Sequence, residues 1–204
     1  MILVIQNGYS DTHISNYLNA EMEVVKSFDV TNFDFYMKKI DMYSLIIILG
    51  GHQSVTAIDQ HQNLLNVVQL IKFCVDKKPI LGICLGCQLL AYVFDCEIRR
   101  LEKLDCGYDT TVLDFSNIFR CHRDYIVPNE SIELIETFRS MPYIFKIKSA
   151  NIYGIQCHPD IPPEFVTNFY DKRETNEFAK QNSTIIDQNN RRCMEYLLDK
   201  LKNT

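Results

Sequence analysis

The chain has 204 residues, 47% hydrophobic and 23% charged, with 26 acidic against 21 basic side chains and a formal net charge of −5. That composition supplies a core for one domain over residues 1–204 and excludes a disordered chain. The acidic balance speaks against a general nucleic-acid binder, which needs a basic face to neutralise phosphates, but leaves room for a nucleotide-sized substrate.

The opening residues carry no basic segment and only a short apolar run, so no secretory leader is expected. No stretch approaches about 18 continuous apolar residues, so no membrane span is expected. The eight cysteines, at positions 74, 84, 87, 96, 106, 121, 157 and 193, are therefore expected as thiols in a reducing, cytoplasmic setting. Most should be small buried hydrophobes.

In chain order, residues 2–7 (ILVIQN) read as a first strand. Residues 13–21 (HISNYLNAE) follow as a helix capped near Asp11 or Thr12. Residues 22–28 (MEVVKSF) read as a second strand and residues 44–51 (SLIIILGG) as a central one, apolar throughout. Continuous apolarity ending in two glycines fits a parallel strand covered on both faces. Residues 60–77 predict a strong helix, with Leu64, Val67, Val68, Ile71, Cys74 and Val75 at three- and four-residue steps. Pro79 ends that region. Residues 80–84 (ILGIC) predict another buried strand, followed directly by a helix over residues 85–95.

The middle changes character. Residues 97–101, 108–115, 131–138, 143–149 and 152–157 read as short strands separated by turns, an antiparallel addition rather than a second domain. Residues 162–180, opening on two prolines, and residues 190–201 predict closing helices, with a polar loop within residues 176–190. The repeated strand–helix order predicts an α/β fold, a doubly wound and mostly parallel sheet with a small antiparallel addition. Its working edge should lie where the parallel strands end.

The stretch that carries chemistry is Gly82-Ile83-Cys84-Leu85-Gly86-Cys87-Gln88. A G-x-C-x-G pattern between an apolar strand and an apolar helix is the cysteine form of a nucleophile elbow. Strained backbone at the tight turn lifts the thiol above the sheet. The positions two before and two after must be small because strand and helix come close. A helix N-terminus beneath Cys84 favours the thiolate, and the Leu85 amide points to where an oxyanion would form. His158, at the end of residues 152–157, is the candidate base, and Asp160 can orient its imidazole. Gly50 and Gly51 end the central strand and let backbone N–H groups approach a substrate. His52 and His122 read as loop residues rather than catalysts.

These blocks resemble those of class I glutamine amidotransferases of the triad type. "PILGICLGCQLLAYVF" is similar to that family's nucleophile segment and "ILGGHQSV" to its oxyanion segment. "CHRDYI" is similar to its S-H-x-D segment, and "YGIQCHPDIPPEF" to its G-x-Q-x-H-P-E segment. They stand in the family's order across roughly residues 45–165. The likeness is to the stand-alone branch similar to the glutaminase part of GMP synthase, which includes γ-glutamyl peptidases. The resemblance implies a flavodoxin-like fold and hydrolysis of the glutamine side-chain amide through a γ-glutamyl thioester. It implies Cys84 as nucleophile, His158 as base and Asp160 as the orienting acid. Gly51 and Leu85 become oxyanion donors, while Gly50 and Gln88 become substrate contacts. No metal or cofactor is implied. The expected partners are glutamine or a γ-glutamyl substrate and a separate synthetase subunit to receive ammonia, with no nucleic acid and no membrane. The chain departs from the pattern where Asp160 stands for glutamate, His52 for proline and Cys121 for serine.

Other readings stand beside this one. The same motifs fit a free-standing γ-glutamyl peptidase, or a catalytically degenerate binding or regulatory subunit. Cys84 and Cys87 also form a C-x-x-C pair at a helix start, the pattern of a thiol redox protein. Cys84, Cys87, Cys157 and His158 are the residues a metal would need, although neighbours in a strand point to opposite faces.

Overall fold

The computed structural model describes residues 1–8, 13–29, 31–108, 111–168 and 173–202. In chain order its first half runs β1 (Ile2–Gln6), β2 (Met22–Lys26), α1 (Asp34–Lys38), β3 (Leu45–Ile48), α2 (Gln62–Cys74), β4 (Ile80–Ile83) and α3 (Leu85–Val93). The second half is strand-rich: β5 (Glu97–Gly107), β6 (Thr111–Val112), β7 (Phe115–Ser116), β8 (Arg120–Val127), β9 (Ile132–Phe138), β10 (Met141–Ile147) and β11 (Ile152–Ile155). Two helices, α4 (Arg173–Gln181) and α5 (Ser183–Lys202), close the chain.

The central sheet has the order β2-β1-β3-β4-β11-β10-β9. Its first five strands are parallel, and β10 and β9 extend it as an antiparallel hairpin. Strand periodicity divides the apolar side chains between two cores. Leu3, Ile5, Ile46, Ile48, Ile80 and Ile152 enter the layer beneath α2 and α3. Ile2, Val4, Leu45, Ile47, Leu81, Ile83, Tyr153 and Ile155 enter the opposite layer. Successive Cβ atoms point to opposite faces, so an unbroken run such as LIII is needed when both faces are covered. α5 closes the second layer with Cys193, Met194, Leu197 and Leu201 at helical spacing. Each fully buried Ile or Leu contributes about 1.5–3 kcal/mol, so the parallel strands are the stable platform. Among the described residues no helix is long and apolar enough to cross a membrane.

The α/β architecture and the mostly parallel sheet agree with the sequence expectation; several elements differ. The helix expected over residues 13–21 is only a 3-10 turn at Ile14–Asn16, and the cap expected at Asp11 or Thr12 lies outside the described residues. The strand at residues 152–157 is not part of the antiparallel addition. β11 pairs in parallel with β4 on one side, inside the central sheet, and antiparallel with β10 on the other. The antiparallel parts are instead the β9–β10 hairpin, the β5–β8 ribbon and the small β6–β7 pair. Residues 162–180 open as a 3-10 turn at Pro163–Asn168, with α4 starting at Arg173.

The polar loop expected within residues 176–190 is almost entirely helical, because tertiary bonds satisfy its asparagines. Asn190 donates to the Ile161 carbonyl at 3.0 Å and Asn189 to the Ser116 carbonyl at 2.8 Å, while Ile186 is fully buried. Such partners override weak helix propensity. His122 is not a loop residue either; it sits in β8 with its side chain buried.

Candidate active site

The C-terminal ends of β1, β3, β4 and β11 converge on one edge of the sheet, where open α/β sheets place their ligands. β4 leads into α3 through Cys84, the N-cap of the helix, with φ 52° and ψ −111°. This left-handed backbone is costly for any residue with a Cβ. It is held by the Cys84 N–H donating to Ile155 O at 2.8 Å and the Gln88 N–H donating to Cys84 O at 3.1 Å. The flanking glycines are steric requirements. A Cβ at Gly86 would run into the carbonyl oxygen of Ile48, and one at Gly82 would lie 2.5 Å from Leu90 Cδ1 and 2.7 Å from the Cys87 amide nitrogen. The junction of β4 and α3 is thus a tight strand–turn–helix with Cys84 at its strained residue.

His158 lies three residues beyond β11. Its backbone N–H donates to Phe119 O at 2.7 Å, which ties it to the chain entering β8. Its Nδ1 is 3.1 Å from Asp160 Oδ1, with both side chains buried. The imidazole also interacts with the Cys84 side chain. Burial pulls the imidazole pKa down. The charges of Cys84 and Asp160, with the Asp160 hydrogen bond, outweigh it and hold His158 well above its ordinary value. Cys84, His158 and Asp160 therefore form one line, able to carry a proton to and from the sulfur.

The glycine pair lies beside this line. A Cβ at Gly50 would come within 2.8 Å of His158 Cε1 and 3.4 Å of Cys84 Cβ. At Gly51 it would come within 2.9 Å of both Asn7 O and Leu85 Cδ2. Asn7, buried at the end of β1, donates Nδ2 to Leu49 O at 2.9 Å and pins the turn. The Leu85 N–H belongs to the first turn of α3, whose amides have no partner within the helix. Gly50, Gly51, Cys84, Leu85, Gln88, His158 and Asp160 all line one cavity of ≈ 540 Å³. All seven residues singled out in the sequence are brought together.

Four further groups receive no site role from the sequence, although Gln156, His122 and Asp124 lie within the motif segments quoted there. Gln156, fully buried, places Nε2 3.7 Å from Cys84 Sγ and accepts at Oε1 from Cys87 Sγ at 3.8 Å. The same Oε1 accepts from Gln88 Nε2 at 3.2 Å. Gln88 Nε2 also donates to Asp124 O at 2.9 Å. Asp124 is a buried carboxylate on the cavity wall. Its Oδ2 accepts from Ser54 Oγ, its Oδ1 has no hydrogen bond, and Arg100 Nη1 stands 4.0 Å away. Behind it, His122 Nδ1 donates to Asp124 O at 3.0 Å and His122 Nε2 accepts from Tyr143 Oη at 3.1 Å. Burial holds His122 below its usual pKa, consistent with a neutral ring in those roles. Arg120, also buried, pairs with Asp105 at 2.9 Å.

The competing cysteine readings fare differently. Cys87 is fully buried in the core beneath α3, and burial, with the Cys84 charge adding to it, pushes its thiol well up. The Gln156 amide binds both the Cys84 and the Cys87 sulfurs. Cys157 points into the opposite core. Among the described residues no group of three or more His, Cys, Asp or Glu is arranged to hold a metal.

Comparison with known proteins gives a consistent picture. The family model for glutamine amidotransferase class-I matches residues 3–180. The chain is 47% identical to the glutamine amidotransferase-like protein L716 of Acanthamoeba polyphaga mimivirus, over 100% of this chain and 98% of that one. It is 29% identical to a glutamine-hydrolyzing GMP synthase subunit of Saccharolobus solfataricus, over 71% of this chain and 79% of that protein. Among solved structures, a glutamine amidotransferase from Thermotoga maritima superposes with a TM-score of 0.72 at 19% identity, covering 100% of this chain and 98% of its own. One from Methylobacillus flagellatus gives 0.73 at 15%, covering 99% and 94%. At such identities the likeness is one of fold.

Proposed function

Since the chain belongs to the class I glutamine amidotransferase family, we propose that it hydrolyses the γ-amide of glutamine through a thioester on Cys84. The observation that carries this reading is the buried line Cys84–His158–Asp160 at the floor of the cavity. The Cys84 sulfur attacks the γ-carbonyl carbon. The oxyanion forms toward the Gly51 and Leu85 amides, where fixed dipoles stabilise it without reorganisation. His158, held protonated beside the sulfur, gives its proton to the departing ammonia. The neutral imidazole then takes a proton from water, which attacks the thioester and frees glutamate. Asp160 keeps the ring oriented throughout. Asp124 Oδ1, which has no hydrogen bond and only the Arg100 guanidinium at 4.0 Å, is the acceptor suited to the substrate's ammonium group, and Gln88 closes the same wall.

The ammonia is proposed to serve a separate synthetase, with the reaction running in the cytoplasm. Support for a synthetase comes from the Saccharolobus relative, which is named as one subunit of a GMP synthase. The deciding experiment incubates purified protein with glutamine and, separately, with γ-glutamyl dipeptides, measuring ammonia and glutamate. Glutamate and ammonia in equal amounts from glutamine support the reading. Glutamate released from the dipeptides alone moves the assignment to a γ-glutamyl peptidase. No turnover of either, with and without an added synthetase, leaves only a binding role.

A further inference from the structure

Cys106 on β5 and Cys121 on β8 are directly opposed partners in the antiparallel ribbon. Opposed residues project from the same face, with Cα atoms about 4.5–5.5 Å apart. A disulfide spans about 4.4–6.8 Å between Cα atoms, so the ladder already holds the two at bonding separation. The Cys106 thiol is hydrogen-bonded to the Cys121 sulfur. All eight cysteines are thiols, and these two are the half-exposed ones while the other six are buried. Cys121 also lines the cavity, and its carbonyl oxygen accepts from Cys84 Sγ at 3.9 Å. Neither thiol has a part in the acyl chemistry proposed for Cys84.

Chemistry separates the two sulfurs into roles. Cys121 is held below the ordinary thiol value, first by the hydrogen bond from Cys106, with the His158 and Arg120 charges adding to it against burial and Asp105. Thiolate character and access mark an attacking sulfur, and the neighbouring thiol is the resolving one. Five of the remaining cysteines, Cys74, Cys87, Cys96, Cys157 and Cys193, have the opposite environment: burial pushes each thiol up.

We propose that Cys121 and Cys106 form a thiol–disulfide exchange site in the cavity wall, taking small organic disulfides. The Cys121 thiolate attacks one sulfur of R–S–S–R; that S–S bond breaks, and R–S⁻ leaves and takes up a proton. The product is a mixed disulfide, Cys121–S–S–R, with the R group in the cavity beside Cys84. Cys106 then loses its proton and attacks the Cys121 sulfur, expelling the second R–S⁻. Two cysteine thiols are oxidised to one disulfide, and one R–S–S–R is reduced to two R–SH. While R remains, it obstructs the approach to Cys84; ring closure clears it.

The test uses the folded full chain carrying Cys84→Ser, so that the elbow thiol does not compete, with hydroxyethyl disulfide as probe. Intact mass and non-reducing peptide maps are read over time. Loss of two hydrogens, with the Cys106 and Cys121 peptides joined, is the expected product. Adding Cys106→Ser should leave a lasting hydroxyethylthio adduct on Cys121, formed at least about ten-fold faster than on any other cysteine. Adducts spread evenly over the cysteines overturn the proposal. So does failure of Cys121 to react in the Cys106→Ser protein while its circular dichroism stays native. Because mass is the readout, the outcome does not depend on glutamine hydrolysis.

Discussion

Asp160 Oδ1 lies 3.1 Å from His158 Nδ1, with both side chains buried at the cavity. The other side of the same imidazole meets Cys84. The ring is therefore squeezed between two groups that carry negative charge when ionised. Despite burial, which alone would lower it, the His158 pKa lies well above its ordinary value. A raised pKa means the proton is kept below that value and lost as pH rises through it. The alkaline limb of kcat/KM for glutamine is thus expected well above pH ~6.5, the free-histidine value. Asp160→Asn removes one of the two charges, so that limb should move to lower pH while turnover falls. An alkaline limb that stays in place in Asp160→Asn would show that another group controls it.

A second expectation sets stability against activity at the elbow. Cys84 holds φ 52°, a region that disfavours any side chain with a Cβ but suits glycine. Strain of this kind costs about 1–3 kcal/mol. Cys84→Gly should abolish glutamine hydrolysis, a loss of several orders of magnitude, yet raise Tm by about 2–4 °C for each kcal/mol released. Cys84→Ala should lose activity equally without that gain. Calorimetry of the two variants checks it; equal Tm values would mean the strain is relaxed elsewhere in the turn.

Much of this site is legible in the sequence because its demands are local. The elbow needs small residues at 82 and 86, and an apolar strand and helix flank Cys84 within a few positions. The parallel core is legible for the same reason, since short apolar runs such as LIII and ILGI, bounded by glycine or proline, fit strands buried on both faces. What escapes is non-local. Gln156 stands in a motif segment, but its contact does not show there: only the fold brings its amide to the Cys84 sulfur across 72 positions. The Ser54–Asp124 contact spans 70 positions. The closing helix is legible over residues 190–201, but the start of α5 at Ser183 is not, because Asn189 and Asn190 look like loop residues until their partners at Ser116 and Ile161 are known. β11 is short, and nothing in its own pattern says whether its neighbour runs parallel or antiparallel.

Gly50 provides a third test. It sits so close to His158 that a methyl group there would lie 2.8 Å from Cε1, closer than side chains normally approach. The turn is anchored by Asn7, so the ring, not the backbone, should give way. Gly50→Ala is expected to fold normally but to lower kcat by roughly 100-fold, the scale associated with a misplacement of about 1 Å at a reacting group. KM should change far less. Equal loss in KM and kcat would place the disturbance in the substrate pocket rather than at the imidazole.

The last expectation concerns selectivity among the eight thiols. Four are unsuited to attack an electrophile: Cys74, Cys87, Cys157 and Cys193 are fully buried and their thiols are pushed up, Cys74 to about 11 and Cys193 to about 12. Cys96 is buried with its thiol also pushed up, and Cys106 gives its hydrogen bond to Cys121. That leaves Cys84 and Cys121, both on the cavity. A glutamine-shaped diazo-ketone separates them, because its reactive carbon is delivered where the γ-carbonyl would sit. That position lies beside the Cys84 sulfur and the Gly51 and Leu85 amides. One equivalent of label is expected on Cys84, with protection by excess glutamine and none on Cys121. A plain alkylating agent of similar size, lacking the amino-acid head, should instead divide between the two. Peptide mapping reads both experiments. Label on Cys121 from the glutamine analogue, at a level comparable with Cys84, would mean that the amino-acid head is not held at Asp124 and that the proposed substrate orientation is wrong.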